Sequence, residues 1–194
     1  MKPTIGITQF MAKFILVFFL MINTTEVHSN TASMNAHDFE FKSIDGGILK
    51  LSKYRNKVLL IVNTASRCGF TPQYTALQNL WDQYKTEGLV VIGVPSGDFG
   101  NQELTSNEKI KDFCEVNFNI NFPLTTRSHV KGSKAHPFYK WANKQVGFTG
   151  TPRWNFHKFL IGPNGKVIDW FASTTKPSSP KIKSKIEGQL SLIR

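Results

Sequence analysis

The chain has 194 residues, 40% of them hydrophobic and 19% charged, which suffices for one domain with a sizeable core and is too little for two comfortable ones. Contents of 14 Gly, 9 Pro and 2 Cys exclude a collagen-like, disordered or disulfide-framework protein. Lys and Arg number 24 against 13 Asp and Glu, a formal charge of +11 with no long cationic run, so the surplus reads as a solvated basic surface and not as a nucleic-acid interface.

Taken in chain order, the first feature is an uninterrupted apolar run at residues 14–22 (FILVFFLMI), behind Lys2 and Lys13. It is too short to cross a bilayer, which takes about 20 residues. It fits a signal-peptide core, with small residues for cleavage after Val27-His28-Ser29 or near Thr31-Ala32-Ser33. Residues 1–33 are therefore expected to be a targeting segment and residues 34–194 the folded domain. The protein is expected to be exported, periplasmic or secreted, with an uncleaved membrane anchor or a buried strand as the competing readings.

Residues 39–42 alternate, Asp45-Gly46-Gly47 supplies a turn and residues 48–51 follow, which predicts an N-terminal β-hairpin. Residues 58–62 (VLLIV) form a continuous aliphatic run, the pattern of a strand buried on both faces. Pro72 is a favoured first helical residue, and Tyr74, Leu77, Leu80, Trp81 and Tyr84 follow at helical spacing. Gly88 stops that helix, and residues 89–94 (LVVIGV) read as a second buried strand. Strand, helix and strand at this length predict a right-handed βαβ unit with parallel strands.

Ser106-Asn107-Glu108 opens a further helix, carrying Ile110 and Phe113 inward to about residue 117, and residues 137–143 form a shorter one. Residues 156–161 and 166–170 flank Gly162-Pro163-Asn164-Gly165, a second hairpin. Ile182, Ile186 and Leu190 predict a closing helix within residues 178–193. The layout is α/β and thioredoxin-like: a mixed central sheet flanked by helices on both faces, with an N-terminal β-hairpin. The order alone leaves other α/β folds open.

Cys68 falls between the first buried strand and the helix after it, at the carboxyl edge of a parallel strand, where open α/β sheets place their sites. A thiol there faces backbone N–H groups and the positive end of the helix dipole, and Arg67 adds a cation; all three favour the nucleophilic thiolate. An inert buried cysteine is the alternative. Thr71 stands where a C-x-x-C motif needs its second thiol, so a dithiol oxidoreductase is excluded. His129, His136 and His157 lack ligand spacing, and neither a metal site nor another cofactor is expected.

Residues 63–74 (NTASRCGFTPQY) resemble the peroxidatic segment of the glutathione peroxidase family, in its cysteine-containing, non-selenium form. Residues 95–103 (PSGDFGNQE) are similar to the second block of that family. Trp154-Asn155-Phe156, continued by Lys158-Phe159-Leu160, is similar to the third. His136-Pro137-Phe138-Tyr139-Lys140-Trp141 is similar to a shorter family stretch, and the likeness runs from about residue 39 to residue 190.

The resemblance implies that Cys68 attacks a hydroperoxide oxygen and becomes a sulfenic acid. It also implies a tetrad completed by Gln102, Trp154 and Asn155, whose amide and indole N–H groups can donate to the thiolate or the leaving oxygen. Without the neighbouring block, Trp154 would read as a core aromatic and Gln102 as a solvated loop amide. Where many members carry Asn-Gln before the Phe, this chain has Gly97-Asp98. A carboxylate turned towards Cys68 would oppose the thiolate, unless Asp98 serves instead to shape the turn.

Family members that depend on thioredoxin carry a resolving cysteine near the position of Cys114. Its thiolate condenses with the sulfenic acid to a disulfide that an external reductant opens. Those members usually read Phe-Ala-Cys, whereas Cys114 follows Phe113 directly. One helical step turns a side chain by about 100°, and a bridge needs Cα atoms within about 7 Å, so the helix would have to unwind locally. A buried structural thiol and a structural disulfide are the alternatives, and a one-cysteine cycle reduced by glutathione would then follow.

The expected activity is that of a thiol peroxidase reducing hydrogen peroxide and organic or lipid hydroperoxides, regenerated by glutathione or a thioredoxin-like dithiol. The expected protein is a monomer that binds no nucleic acid and associates weakly with anionic membrane surfaces. The alternatives are a peroxide sensor and an exported thioredoxin-fold protein that binds metal or thiol.

Overall fold

The computed structural model describes residue 1 and residues 34–194, so the expected targeting segment lies, apart from Met1, outside the described residues. The domain begins with the predicted hairpin. Glu40–Lys42 (β1) pairs antiparallel with Ile48–Lys50 (β2), Phe41 opposite Leu49. Those two side chains are buried and their neighbours face outward, the period-two pattern of a half-covered sheet. Gly46 and Gly47 turn the chain with φ of 92° and 73°, a region that favours glycine.

Val58–Thr64 (β3) and Leu89–Pro95 (β4) are buried at every residue and run parallel, Val58 against Leu89 through Thr64 against Pro95. Gln73–Tyr84 (α1) crosses between them and buries Tyr74, Leu77, Leu80 and Tyr84. Asn107–Phe118 (α2) starts on the Ser106 hydroxyl, which accepts from the Lys109 amide, and ends at Asn119 in the left-handed conformation. Pro137–Gly150 (α3) outruns the helix predicted over 137–143, because no breaker intervenes before Gly147. There φ of 67° and ψ of −169° kink the chain before a last turn. Lys158–Ile161 (β5) and Val167–Phe171 (β6) form the second hairpin, and Pro180–Leu190 (α4) closes the chain behind a Ser179 cap.

The main sheet has the order β4-β3-β5-β6, with β3 parallel to β4 and antiparallel to β5, so it is mixed as expected. One face packs Leu60, Val62, Val91 and Leu160 against apolar residues of α1, α2 and α4. The other packs Leu59, Ile61, Ile92 and Phe159 against α3 and the N-terminal hairpin. Each fully buried aliphatic side chain contributes about 1.5–3 kcal/mol by leaving water. This double cover is why β3 and β4 carry no polar alternation. No helix among the described residues is long and apolar enough to cross a membrane.

Candidate active site

Parallel β3 and β4 end side by side, and the loops leaving them meet the segment that enters β5 at one edge of the sheet. The β3–α1 loop carries Cys68, the β4–α2 loop carries Gln102 and Glu103, and the segment before β5 carries Trp154 and Asn155. Hydrogen bonds lace the three together. The Arg67 amide donates to the Gln102 carbonyl at 2.9 Å. Asn155 Nδ2 donates to Gln102 Oε1 at 2.9 Å and, at 3.4 Å, to the Phe99 carbonyl. Asn63, in β3, donates from Nδ2 to the Trp154 carbonyl at 3.1 Å and accepts at its own carbonyl from the Phe156 amide at 2.6 Å.

Cys68 itself is buried, with 7% of its surface exposed. Its amide donates to Thr71 Oγ1 at 3.0 Å, and that hydroxyl donates to the Ala65 carbonyl at 2.8 Å. Thr71 thus clasps the loop from the position a second thiol would occupy. The sulfur accepts from the Phe70 amide at 3.4 Å. The Gln73 and Tyr74 amides at the start of α1 are spent on the Phe70 and Thr71 carbonyls. Of the N–H groups expected around the thiol, the Phe70 amide is the one that reaches it among the described residues.

Trp154 is 41% exposed, its ring centroid 6.0 Å from that of Phe99, so it is no core aromatic. Its Nε1 is in no hydrogen bond among the described residues and so is an unspent donor. Asn155 is fully buried. Because Gln102 Oε1 is taken by Asn155, the donor left to Gln102 is Nε2. Asp98 is engaged elsewhere. It accepts from the Val130 and Lys131 amides at 2.6 and 3.1 Å and pairs with His129 Nδ1 at 2.6 Å. Burial raises its pKa, but the His129, Val130 and Lys131 hydrogen bonds together outweigh that and leave it lowered. Beside it, the Arg127 guanidinium lies on Gly97, where a Cβ would come within 1.9 Å of Nη2, and it donates to Asn101 Oδ1 at 3.3 Å.

The glutathione peroxidase family model matches residues 36–143, more than half of the chain. The chain belongs to the glutathione peroxidase family. It is similar to a glutathione peroxidase of Lactococcus lactis, 41% identical over 74% of this chain and 93% of the relative. With the glutathione peroxidase homolog BsaA of Halalkalibacterium halodurans it shares 45% identity over 79% of this chain and 98% of that one. Glutathione peroxidase-like peroxiredoxin 2 of Saccharomyces cerevisiae is 44% identical over 74% and 90%. The crystal structure of T. cruzi GPX1 matches at a TM-score of 0.65 and 30% identity, covering 81% of this chain and 97% of that one. A thioredoxin-family thiol:disulfide interchange protein from Chlorobium tepidum, 13% identical at a TM-score of 0.60, covers 78% and 92% and shares the fold. The protein is a peroxidase of thioredoxin fold, acting on hydroperoxides.

In this peroxidase Cys114 faces inward from α2, with no exposed surface, in the same apolar layer as Cys68. Both cysteines are free. Burial pushes the Cys114 thiol up to about 12, a smaller pull from the Tyr74 hydroxyl acting the other way. The one-residue register difference therefore does not turn it to solvent.

Two residues absent from the expected tetrad tie the loops of this candidate site together. Asn63 ties the end of β3 to the Trp154 segment. Glu103, 3% exposed, accepts at Oε1 from the amide and hydroxyl of Ser66 and from the Leu104 amide. Burial raises its pKa, with the Ser66 and Leu104 bonds and the Arg127 charge opposing. The signal for Glu103 was its place next to Gln102; for Asn63, a polar side chain at the end of an apolar run. A cleft of about 330 Å³ adjoins the Cys68 loop, lined by Gly69, Phe70, Pro72, Gln73, Lys176 and Pro177 among others.

Proposed function

We propose that Cys68 is the peroxidatic residue of this thiol peroxidase. Its thiolate attacks one oxygen of a hydroperoxide; the S–O bond forms, the O–O bond breaks, and the departing oxygen leaves as alcohol or water after taking up a proton. Cys68 is left as the sulfenic acid. Gln102 Nε2 and Trp154 Nε1 are the donors for the thiolate and the leaving oxygen; the Asn155 amide, expected as a third donor, spends both hydrogens on Gln102 Oε1 and the Phe99 carbonyl and so orients Gln102 instead. The observation that carries this reading is the chain of bonds from Arg67 through Gln102 to Asn155, which unites the three loops around Cys68. Substrates are hydrogen peroxide and organic or lipid hydroperoxides.

Glutathione or a thioredoxin-like dithiol returns the sulfenic acid to the thiol. Cys114 is the resolving residue of the dithiol route, which requires α2 to open. Two observations support that step: α2 fully buries only Ile110 and Cys114, and several relatives bear the name peroxiredoxin. The protein acts as an exported monomer, directed by residues 14–22, and its +11 charge draws it weakly to anionic membranes. N-terminal sequencing of the protein purified from its own cells tests the export, which an intact Met1 terminus on purely cytosolic protein would refute. Turnover on anionic vesicles that ignores added salt would refute the attraction.

The assignment is tested by the intact mass of the reduced mature protein before and after one equivalent of hydrogen peroxide, beside Cys68→Ser and Cys114→Ser. Loss of two hydrogens in wild type, with an added oxygen trapped in Cys114→Ser, is the expected result. An added oxygen in wild type would make Cys114 a bystander and leave the glutathione route. A wild type unchanged by peroxide would remove Cys68 from the reaction.

A further inference from the structure

Lys158 belongs to the third sequence block and has no part in the peroxidatic reading. It lies in β5 between Val62 of β3 and Phe171 of β6, fully buried on the side of the sheet that faces α1. A buried ammonium is costly unless its protons are placed. Here Nζ donates to Gln73 Oε1 at 2.7 Å, to the Phe156 carbonyl at 2.8 Å and to the Thr175 carbonyl at 2.8 Å. Three donors meet three acceptors, none of them a carboxylate. Burial pushes the ammonium down to about 7.

The acceptors come from three separate segments. Gln73 is the first residue of α1, the helix that leaves the Cys68 loop, and its Nε2 donates onward to the Ser173 carbonyl at 2.6 Å. Phe156 directly follows Trp154 and Asn155 and takes a φ of 62°, a left-handed backbone that persists only where its surroundings hold it. Thr175 lies between Thr174 and Lys176, which line the cleft beside the Cys68 loop.

We propose that Lys158 is a positioning residue for the peroxidase step: it fastens the start of α1 to the segment that presents Trp154 and Asn155, and so fixes the Cys68 thiol against its donors. The proposal rests on Cys68 being the peroxidatic thiol.

Lys158→Met keeps an unbranched apolar stem and deletes the donors. In a Cys114→Ser background only Cys68 reports, and two rates are read on the reduced protein: oxidation by hydrogen peroxide and alkylation by iodoacetamide. Positioning predicts that the peroxide rate falls by about tenfold to a hundredfold while alkylation stays within about twofold. Both rates unchanged, or both shifted by one factor, would overturn the proposal, since general loosening moves the two together. Should Lys158→Met fail to fold, Gln73→Leu removes one tie and leaves the lysine two acceptors. Its peroxide rate should fall several-fold with alkylation steady, and no fall refutes the proposal. A wild-type Cys68 inert to peroxide brings down both assignments. A reactive wild type beside an unaltered Lys158→Met overturns this one alone.

Discussion

Glu103 sits next to Gln102 in the chain and acts one loop away. Its Oε1 gathers the Ser66 amide, the Ser66 hydroxyl and the Leu104 amide, while Oε2 is buried without a partner. Glu103→Ala should therefore strand three donors and cost about 3 kcal/mol in urea unfolding. Peroxide oxidation of Cys68 should slow by about tenfold in the same variant. Glu103→Gln keeps the accepting oxygen and should stay within about 1 kcal/mol of wild type. An equal loss of stability in both variants, or none in either, would mean that the carboxylate does not hold this loop. Trp154 and Gln102 were singled out through the resemblance, and the structure brings their loops to the same sheet edge as Cys68. Nothing in residue type distinguished Glu103 from an ordinary solvated loop acid, because its burial is set by the Ser66 loop folding back on it.

Elements with a strong period were read well: the aliphatic runs became β3 and β4, and Ser106 is the cap it was expected to be. The length of α3 was not, since only Gly147 marks its break and residues 144–146 carry no apolar repeat of their own. The lie of Cys114 was beyond sequence reasoning as well, because a one-step shift in a short motif says nothing of how the helix is rotated on the sheet. For α2 the capping Ser106 matters chemically. Ser106→Ala removes the hydroxyl that accepts from the Lys109 amide at 3.3 Å, a loss of about 1 kcal/mol. If Cys114 reaches the sulfenic acid by helix opening, the variant should form the disulfide faster, by about fivefold. Stopped-flow tryptophan fluorescence after a peroxide pulse measures that second phase. A slower phase would mean that the helix must stay folded for resolution.

For the whole molecule, pH acts first through buried histidines. Burial, then the neighbouring Lys158 charge, holds His157 down to about 4, with the Gly150 carbonyl pulling the other way. Burial likewise lowers His37 and His136. An unfolded histidine takes up its proton near its ordinary 6.5, so the unfolded chain binds more protons between that value and the folded one. The histidine contribution is thus fully present above about 6.5 and is lost as the pH falls towards 4, by on the order of 3 kcal/mol for His157 alone. The melting temperature should drop between pH 7 and pH 5. His157→Phe, which retains the stack on Trp170 at 5.6 Å, should flatten the drop; an unchanged slope would place the acid sensitivity elsewhere.

The contact of Arg127 with Gly97 has a consequence for how this sequence can change over time. The guanidinium occupies the space of the missing Cβ, so any side chain at position 97 evicts it, and with it the bond to Asn101 next to Gln102. Glycine at 97 and the present seat of the guanidinium at 127 are coupled. A lineage that replaces the first must swing the guanidinium aside and give up its bond to Asn101, and one that keeps that bond keeps a bare backbone thirty residues upstream.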